Sequence, residues 1–277
     1  MNIRVVCTDI DGTLLDSRRE LSERTIATIK RLGGSFPVIL ASSRMPRAMR
    51  HLQKELGILH HPIICYNGGY VVHDTGGAVP KVIDSVKILP PICSFIVSLA
   101  QEKGVHVSLY TEDEWYAEKN DPWTEREARI TKADPVITGF QPLLRGWTAR
   151  RTGAHKVMCM GPEPAIQEML ETLLHKFSSE IHLYRSKSTY LEIAPRAISK
   201  ATALAMLLHQ YGLDLSHVMA FGDNYNDIDL LRSAGLGIAV GNARDEVKAV
   251  AKEITLNNTD DGVAIAMEKW LLNKTVA

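Results

Sequence analysis

Short apolar runs alternate with amphipathic stretches over the first third of the chain. Val5–Thr8, Ser35–Ala41 and Pro62–Tyr66 read as strands, and the segments near Ser22–Leu32 and Arg47–Leu56 read as helices. The runs are apolar throughout, as expected of strands covered on both faces in a parallel sheet. The order through residue 66 is therefore β-α-β-α-β, and Tyr70–Asp84 reads as a short hairpin that closes this half.

From Pro90 the pattern changes. Helices are expected over Pro91–Lys103, Trp123–Lys132 and Glu163–Phe177. Strands are expected over Val105–Thr111, Glu114–Glu118, Lys156–Gly161, Glu180–Tyr184 and Thr189–Ile193, with a long loop before Lys156. These strands alternate apolar and polar positions, as a sheet with one covered face does. The first pattern then returns, with a helix over Lys200–Tyr211, a strand over Ser216–Phe221, a helix from Asn226, a strand over Leu236–Val240 and a helix over Gly262–Leu272. One core domain interrupted by an insertion explains this order better than two consecutive domains. The expected fold is α/β, a doubly wound, mostly parallel sheet formed by residues 1–84 and 190–277, with residues 85–189 as an inserted α+β cap.

Length and charge narrow the function. A chain of 277 residues is long for a single core. Lys plus Arg and Asp plus Glu both total 32, so no net charge draws the chain to nucleic acid or to an anionic membrane. No apolar run approaches the ~20 residues of a membrane span, and a soluble, cytoplasmic protein is expected. Cys7, Cys65, Cys93 and Cys159 lack C-x-x-C spacing and read as reduced core residues. His60-His61, ahead of a proline, reads as a loop pair.

The chemistry lies where apolar runs end. Val5–Thr8 opens onto Asp9-Ile10-Asp11-Gly12-Thr13. Residues two apart on a strand share a face, so two acids would leave its end side by side and require a positive partner, such as a divalent cation held through oxygen. Alone, the same residues also make an ordinary turn. Asp223 and Asp227 follow the strand ending at Phe221, and strand carboxyl ends share one edge in an open α/β sheet, so the two acidic loops would meet there as a Mg²⁺ site. Asp227 and Asp229 also suit a first helical turn. Ser42, after the strand ending at Ala41, suits either an N-cap or a donor to phosphate. Lys200 would begin a helix at its positive end, a conflict that a nearby anion removes.

Together these residues resemble the haloacid dehalogenase superfamily, and within it the Cof-type sugar-phosphatase branch. The resemblance runs through Asp9–Leu14, Ala41–Arg44, Asn67-Gly68-Gly69, Leu191–Pro195, Lys200, Gly222–Asp227 and Asp261–Ala264. It implies a Mg²⁺-dependent phosphatase for small phosphorylated metabolites. Asp9 would be the nucleophile and Asp11 the general acid and base. Asp9, the Asp11 carbonyl, Asp223, Asp227 and Asn226 would serve the metal, and Ser42, Lys200, Gly12 and Asn67 the phosphate. The same resemblance leaves room for a sugar phosphomutase or a non-catalytic phosphometabolite-binding protein. The chain has Ser43, Ala197 and Ala201 where the branch has glycine, which implies that Ser43 holds a backbone conformation natural to glycine. Tyr110, Trp115, Tyr116, Arg145, Arg150, Arg151 and Lys156 are the expected substrate-selecting candidates of the insertion.

Overall fold

The computed structural model describes residues 2–77 and 79–273. The chain opens with β1 (Val5–Thr8), α1 (Glu23–Leu32), β2 (Val38–Ala41), α2 (Arg47–Leu56), β3 (Ile63–Cys65), β4 (Tyr70–His73) and β5 (Lys81–Ser85). It continues through α3 (Pro90–Glu102), β6 (His106–Thr111), β7 (Glu114–Ala117), α4 (Pro122–Thr131), β8 (Val136–Ile137), α5 (Phe140–Ala149), β9 (Lys156–Met160), α6 (Glu163–Phe177), β10 (Ile181–Lys187) and β11 (Tyr190–Pro195). It closes with α7 (Lys200–His209), β12 (Val218–Gly222), α8 (Ile228–Ser233), β13 (Leu236–Ala239), α9 (Asp245–Lys248), β14 (Glu253–Ile254) and α10 (Gly262–Met267).

Two compact units result. One contains residues 1–43, 49–84 and 199–277, the other residues 44–48 and 85–198. The first holds an eight-stranded sheet in the order β14-β13-β12-β1-β2-β3-β4-β5. The pairs from β14 through β3 are all parallel, and β4 returns antiparallel to β3. Every residue of β1, β2, β12 and β13 is buried, which is why their sequences are apolar without alternation. The chain builds outward from β1 to β2 on one side and later places β12 on the other. The switch in strand order therefore falls at β1, and the C-terminal ends of β1, β2 and β12 frame its crevice.

Helix ends are set locally. Ser22 caps α1 by accepting the Thr25 N–H, and Ser199 and Thr202 form a reciprocal capping box at α7. Such caps contribute about 1 kcal/mol each. Leu204, Leu207 and Leu208 anchor α7 in the core, each at about 1.5–3 kcal/mol for a fully buried side chain.

The second unit holds a six-stranded sheet in the order β10-β11-β9-β6-β7-β8, with Ile96, Leu109, Trp147, Val157, Ile166 and Ile193 among its core residues. Two expectations are corrected here. The core was expected to resume at residue 190, but Tyr190–Pro195 pairs antiparallel with both β9 and β10, so these residues belong to the six-stranded sheet. The expected long loop before Lys156 contains β8 and α5. Phe140, Leu144 and Trp147 give α5 a buried stripe, and Pro142 is tolerated because it falls in the first turn.

Candidate active site

The site is built at the C-terminal edge of the eight-stranded sheet, entirely from residues of the first unit. β1 ends at Thr8, so Asp9 is the first residue past the strand, still tied to β12 by its N–H to the Phe221 carbonyl (3.0 Å). Asp11 lies in the following turn and is exposed, whereas Asp9 is 5% exposed. The expected side-by-side pair on one strand face is thus corrected: the strand stops before the period of two reaches Asp11. The turn closes through Leu14 and Leu15 N–H groups that both donate to the Ile10 carbonyl.

Gly12 is required where it stands. Its φ is +84°, and a Cβ there would lie 2.6 Å from Asp223 Oδ2. Thr13 Oγ1 donates to Asp223 Oδ1 at 2.9 Å, fixing the carboxylate from the β1 side. Asp223 follows β12, where Gly222 leaves room for Asp227; a Cβ on Gly222 would approach Asp227 Cβ to 2.4 Å. Residues 225–227 form a single 3₁₀ turn ahead of α8, so the helix starts at Ile228 rather than at Asn226. Asp227 Oδ2 accepts the N–H groups of Asp223 and Asn224, at 3.0 and 3.1 Å.

Lys200 stands at the centre. Its side chain is fully buried, and Nζ donates to Asp9 Oδ1 (2.5 Å) and Asp227 Oδ1 (2.7 Å). The conflict of a cation at a helix start is therefore relieved by carboxylates from two distant segments. Burial opposes the Lys200 charge, but Asp227 and Asp9 outweigh it and hold the ammonium above its ordinary value. Burial pushes Asp9 well above the usual carboxylate range, with Asp227 and Asp223 adding to the shift and Lys200 opposing it. Burial likewise raises Asp223 to about 6, helped by the charges of Asp227 and Asp11.

Ligand atoms of Asp9, Asp223 and Asp227 all lie within 4.8 Å of one another. These carboxylates share one ammonium, so the cluster lacks positive charge, and its all-oxygen donor set fits a hard divalent cation.

Ser42 and Asn67 complete the rim. Ser42 is 1% exposed, its N–H donates to the Ile64 carbonyl, and its own carbonyl accepts the Asn67 N–H, each at 2.9 Å. Tyr66, Asn67 and Gly68 all have positive φ, at 53°, 57° and 110°. Such a run is uncommon for non-glycine residues, and strain of this kind concentrates at functional sites. Gly68 allows the turn to meet α7, since a Cβ there would lie 2.5 Å from the Ser199 carbonyl oxygen. Asn226 Nδ2 donates to Asn67 Oδ1 (2.9 Å), so these two candidates are joined directly. The expectation for Ser43 is corrected, because Ser43 is not among the non-glycine residues at positive φ and needs no glycine-like backbone.

Thr13 and Asn242 had no place among the expected site residues. Asn242 Nδ2 donates to the Gly12 carbonyl (2.8 Å) and its Oδ1 accepts the Asn258 N–H, pinning the turn from the segment that follows β13. Of the candidates in the insertion, Tyr110 and Trp115 stack at 5.7 Å in the interior and Lys156 is buried over the Tyr110 ring at 4.5 Å, so these three are packing residues. Tyr116 is half-buried and meets Trp147 edge-on. Arg145, Arg150 and Arg151 are exposed on and after α5. His106 bridges Ser108 Oγ and Asp121 Oδ2 with the connectivity of a hydrolytic triad, but Ser108 is fully enclosed and Asp121 also caps α4, which makes the trio a strut.

An α/β core with an inserted second sheet, and an acidic cluster at the strand switch, define a class of hydrolase. The haloacid dehalogenase-like hydrolase family matches residues 6–267, and the chain belongs to that family. It is 31% identical over 272 residues to a Haemophilus influenzae protein named provisionally as a phosphatase, covering 97% of this chain and 98% of the relative. It is 27% identical to the Bacillus subtilis 5-amino-6-(5-phospho-D-ribitylamino)uracil phosphatase YcsE, over 98% of this chain and 97% of that enzyme. The crystal structure of a haloacid dehalogenase-like hydrolase from Bacteroides thetaiotaomicron superposes with a TM-score of 0.86 at 28% identity, covering 96% of this chain and 99% of the other. Among the described residues no helix is long and apolar enough to cross a membrane.

Proposed function

We propose that this chain is a Mg²⁺-dependent phosphatase that hydrolyses phosphate monoesters of small metabolites in two displacements at Asp9. The observation that carries this reading is the convergence of Asp9, Asp223 and Asp227 around the buried Lys200 ammonium at the switch of the parallel sheet. Lys200 holds Asp9 by Oδ1, which leaves Oδ2 as the attacking atom. In the first displacement Oδ2 bonds to phosphorus while the ester oxygen departs, and Asp11, exposed at the mouth of the turn, gives that oxygen a proton. In the second, Asp11 takes a proton from water, which attacks phosphorus and returns Asp9 as a carboxylate. Ser42 and Asn67, joined through their backbones, hold non-transferred phosphate oxygens with Lys200 and the Gly12 turn. Mg²⁺ would be held by Asp9, the Asp11 carbonyl and Asp223, with Asp227 and Asn226 behind them. It supplies the positive charge that lets an anionic nucleophile meet an anionic phosphate.

The substrate class follows from the family and from relatives such as the phosphoribitylaminouracil phosphatase, which is named for a small phosphorylated metabolite. A non-catalytic binding protein on the same scaffold is the weaker reading, since Ser43, which stands where the branch has glycine, is not among the residues at positive φ and needs no glycine-like backbone. Asp9→Asn should abolish Mg²⁺-dependent phosphate release from an aryl phosphate while the far-ultraviolet circular dichroism stays native. Full activity in that variant would refute the assigned nucleophile.

A further inference from the structure

At the opposite, N-terminal edge of the same sheet lies a cavity of about 710 Å³, within the range of small-molecule sites. Its walls come from the start of β1 (Ile3, Arg4), the α1–β2 connection (Gly34–Pro37), the approach to β3 (His60, His61), the end of β4 (His73) and the segment after α7 (Tyr211–Leu213).

The lining is polarised toward one kind of occupant. It includes Arg4 and three histidines but no Asp or Glu, although the whole chain balances acids and bases at 32 each. Among the described residues Arg4 is in no ion pair, and its side chain is exposed at the cavity. His61 is a fixed wall: Nδ1 accepts the Val38 N–H at 3.2 Å and Nε2 donates to the Gly34 carbonyl at 3.1 Å. His60 Nε2 also donates to that carbonyl, and His73 Nε2 donates to the His60 carbonyl, both at 2.8 Å. Those bonds orient the two rings and leave each Nδ1, in the neutral ring, as a hydrogen-bond acceptor. Ile3, Phe36, Pro37, Leu213 and the ring of Tyr211, which is 54% exposed, supply apolar and aromatic surface beside the cationic group.

We infer that this cavity is a second ligand site, which takes a small organic anion with an aromatic or apolar body. The anionic group pairs with Arg4, and the body lies on Tyr211, Phe36 and Pro37. Its occupant is not the phosphate ester under hydrolysis. Counted from the lining residues Val5, Ile39 and Leu208, β1 and β2 separate the cavity from Asp9 and Ser42 by roughly 10–13 Å, and α7 separates it from Lys200 by about 12 Å.

The experiment is a fluorescence titration of the intact protein with 1-anilinonaphthalene-8-sulfonate, an aromatic anion, followed by the same titration of Arg4→Glu and Ser35→Glu. Both variants place an acid at the exposed rim, and circular dichroism and aryl phosphate hydrolysis report that each is folded. One equivalent of probe should bind the parent protein, with affinity at least tenfold weaker in each variant. Unchanged affinity in either folded variant, or no stoichiometric binding up to 1 mM probe, would overturn the proposal.

Discussion

Replacing Lys200 by methionine keeps the length and apolar stem of the side chain and removes one charge from the interior. In the parent protein that ammonium is fully buried between Asp9 and Asp227, at 2.5 and 2.7 Å. Breaking a buried pair from one side leaves uncompensated charge and costs about 3–5 kcal/mol. In Lys200→Met two carboxylates lose the same partner, so the loss should fall in this range. Its pH dependence has a definite sign. Without the ammonium Asp9 and Asp223, which burial raises and Lys200 holds down, rise further above the unfolded value of about 3.9, and such groups destabilise the folded state as they ionise. The deficit is therefore small near pH 4, grows as pH rises through the folded-state values, and is complete above them. Urea denaturation of metal-free protein in EDTA, at pH 5 and pH 8, measures it. The expected result is a loss of about 3–5 kcal/mol at pH 8 and a smaller one at pH 5. A loss under about 1 kcal/mol at both values would refute the view that Lys200 balances the acidic cluster.

Three other outcomes follow from particular contacts. Burial, aided by Lys87, pushes His155 down to about 3, and its neutral Nδ1 accepts the Glu112 N–H at 2.9 Å. The stability this gives is complete above pH 6.5 and lost as pH falls toward 3, with an upper bound of about 5 kcal/mol. Thermal melts from pH 7 to 4 should therefore show an acid slope that His155→Gln flattens, and equal slopes would count against the assignment. Gly12→Ala would drive a Cβ toward Asp223 Oδ2, so calorimetric Mg²⁺ affinity should fall at least tenfold while Tm falls by only a few degrees; unchanged affinity would argue against Asp223 as a ligand. Because Asp223 is raised to about 6, the Tm increase on adding Mg²⁺ at pH 7.5 should shrink steeply below pH 6, and a pH-independent increase would be inconsistent with carboxylate ligation.

The sequence exposed most of the acidic edge because buried parallel strands are apolar without interruption, so an acid at their end is conspicuous. That logic located Asp9 and Asp223 but carried Asp11 too far, since an apolar run does not say at which residue pairing stops. The position of Lys200 looked unfavourable because its helix was visible and its carboxylate partners were not. Thr13 escaped notice for a similar reason, as its hydroxyl meets Asp223 from 210 positions away. In the insertion, the apolar stripe of Phe140, Leu144 and Trp147 was present, but Pro142 and Gly146 disguised it as loop. The alternation that grouped Thr189–Ile193 with the strands of the insertion was the truer signal, and the boundary at residue 190 cut across a strand whose pairing in the six-stranded sheet is non-local.

The central claim is that the Asp9 carboxylate carries the phosphoryl group between ester and water. Acid-quenching the enzyme during steady-state turnover of an aryl phosphate, reducing it with tritiated borohydride and sequencing the labelled peptide tests this directly, because borohydride converts an acyl phosphate of aspartate to homoserine. Tritiated homoserine at position 9, absent without Mg²⁺, is the predicted result. Label at any other residue, or none while turnover proceeds, would contradict the account.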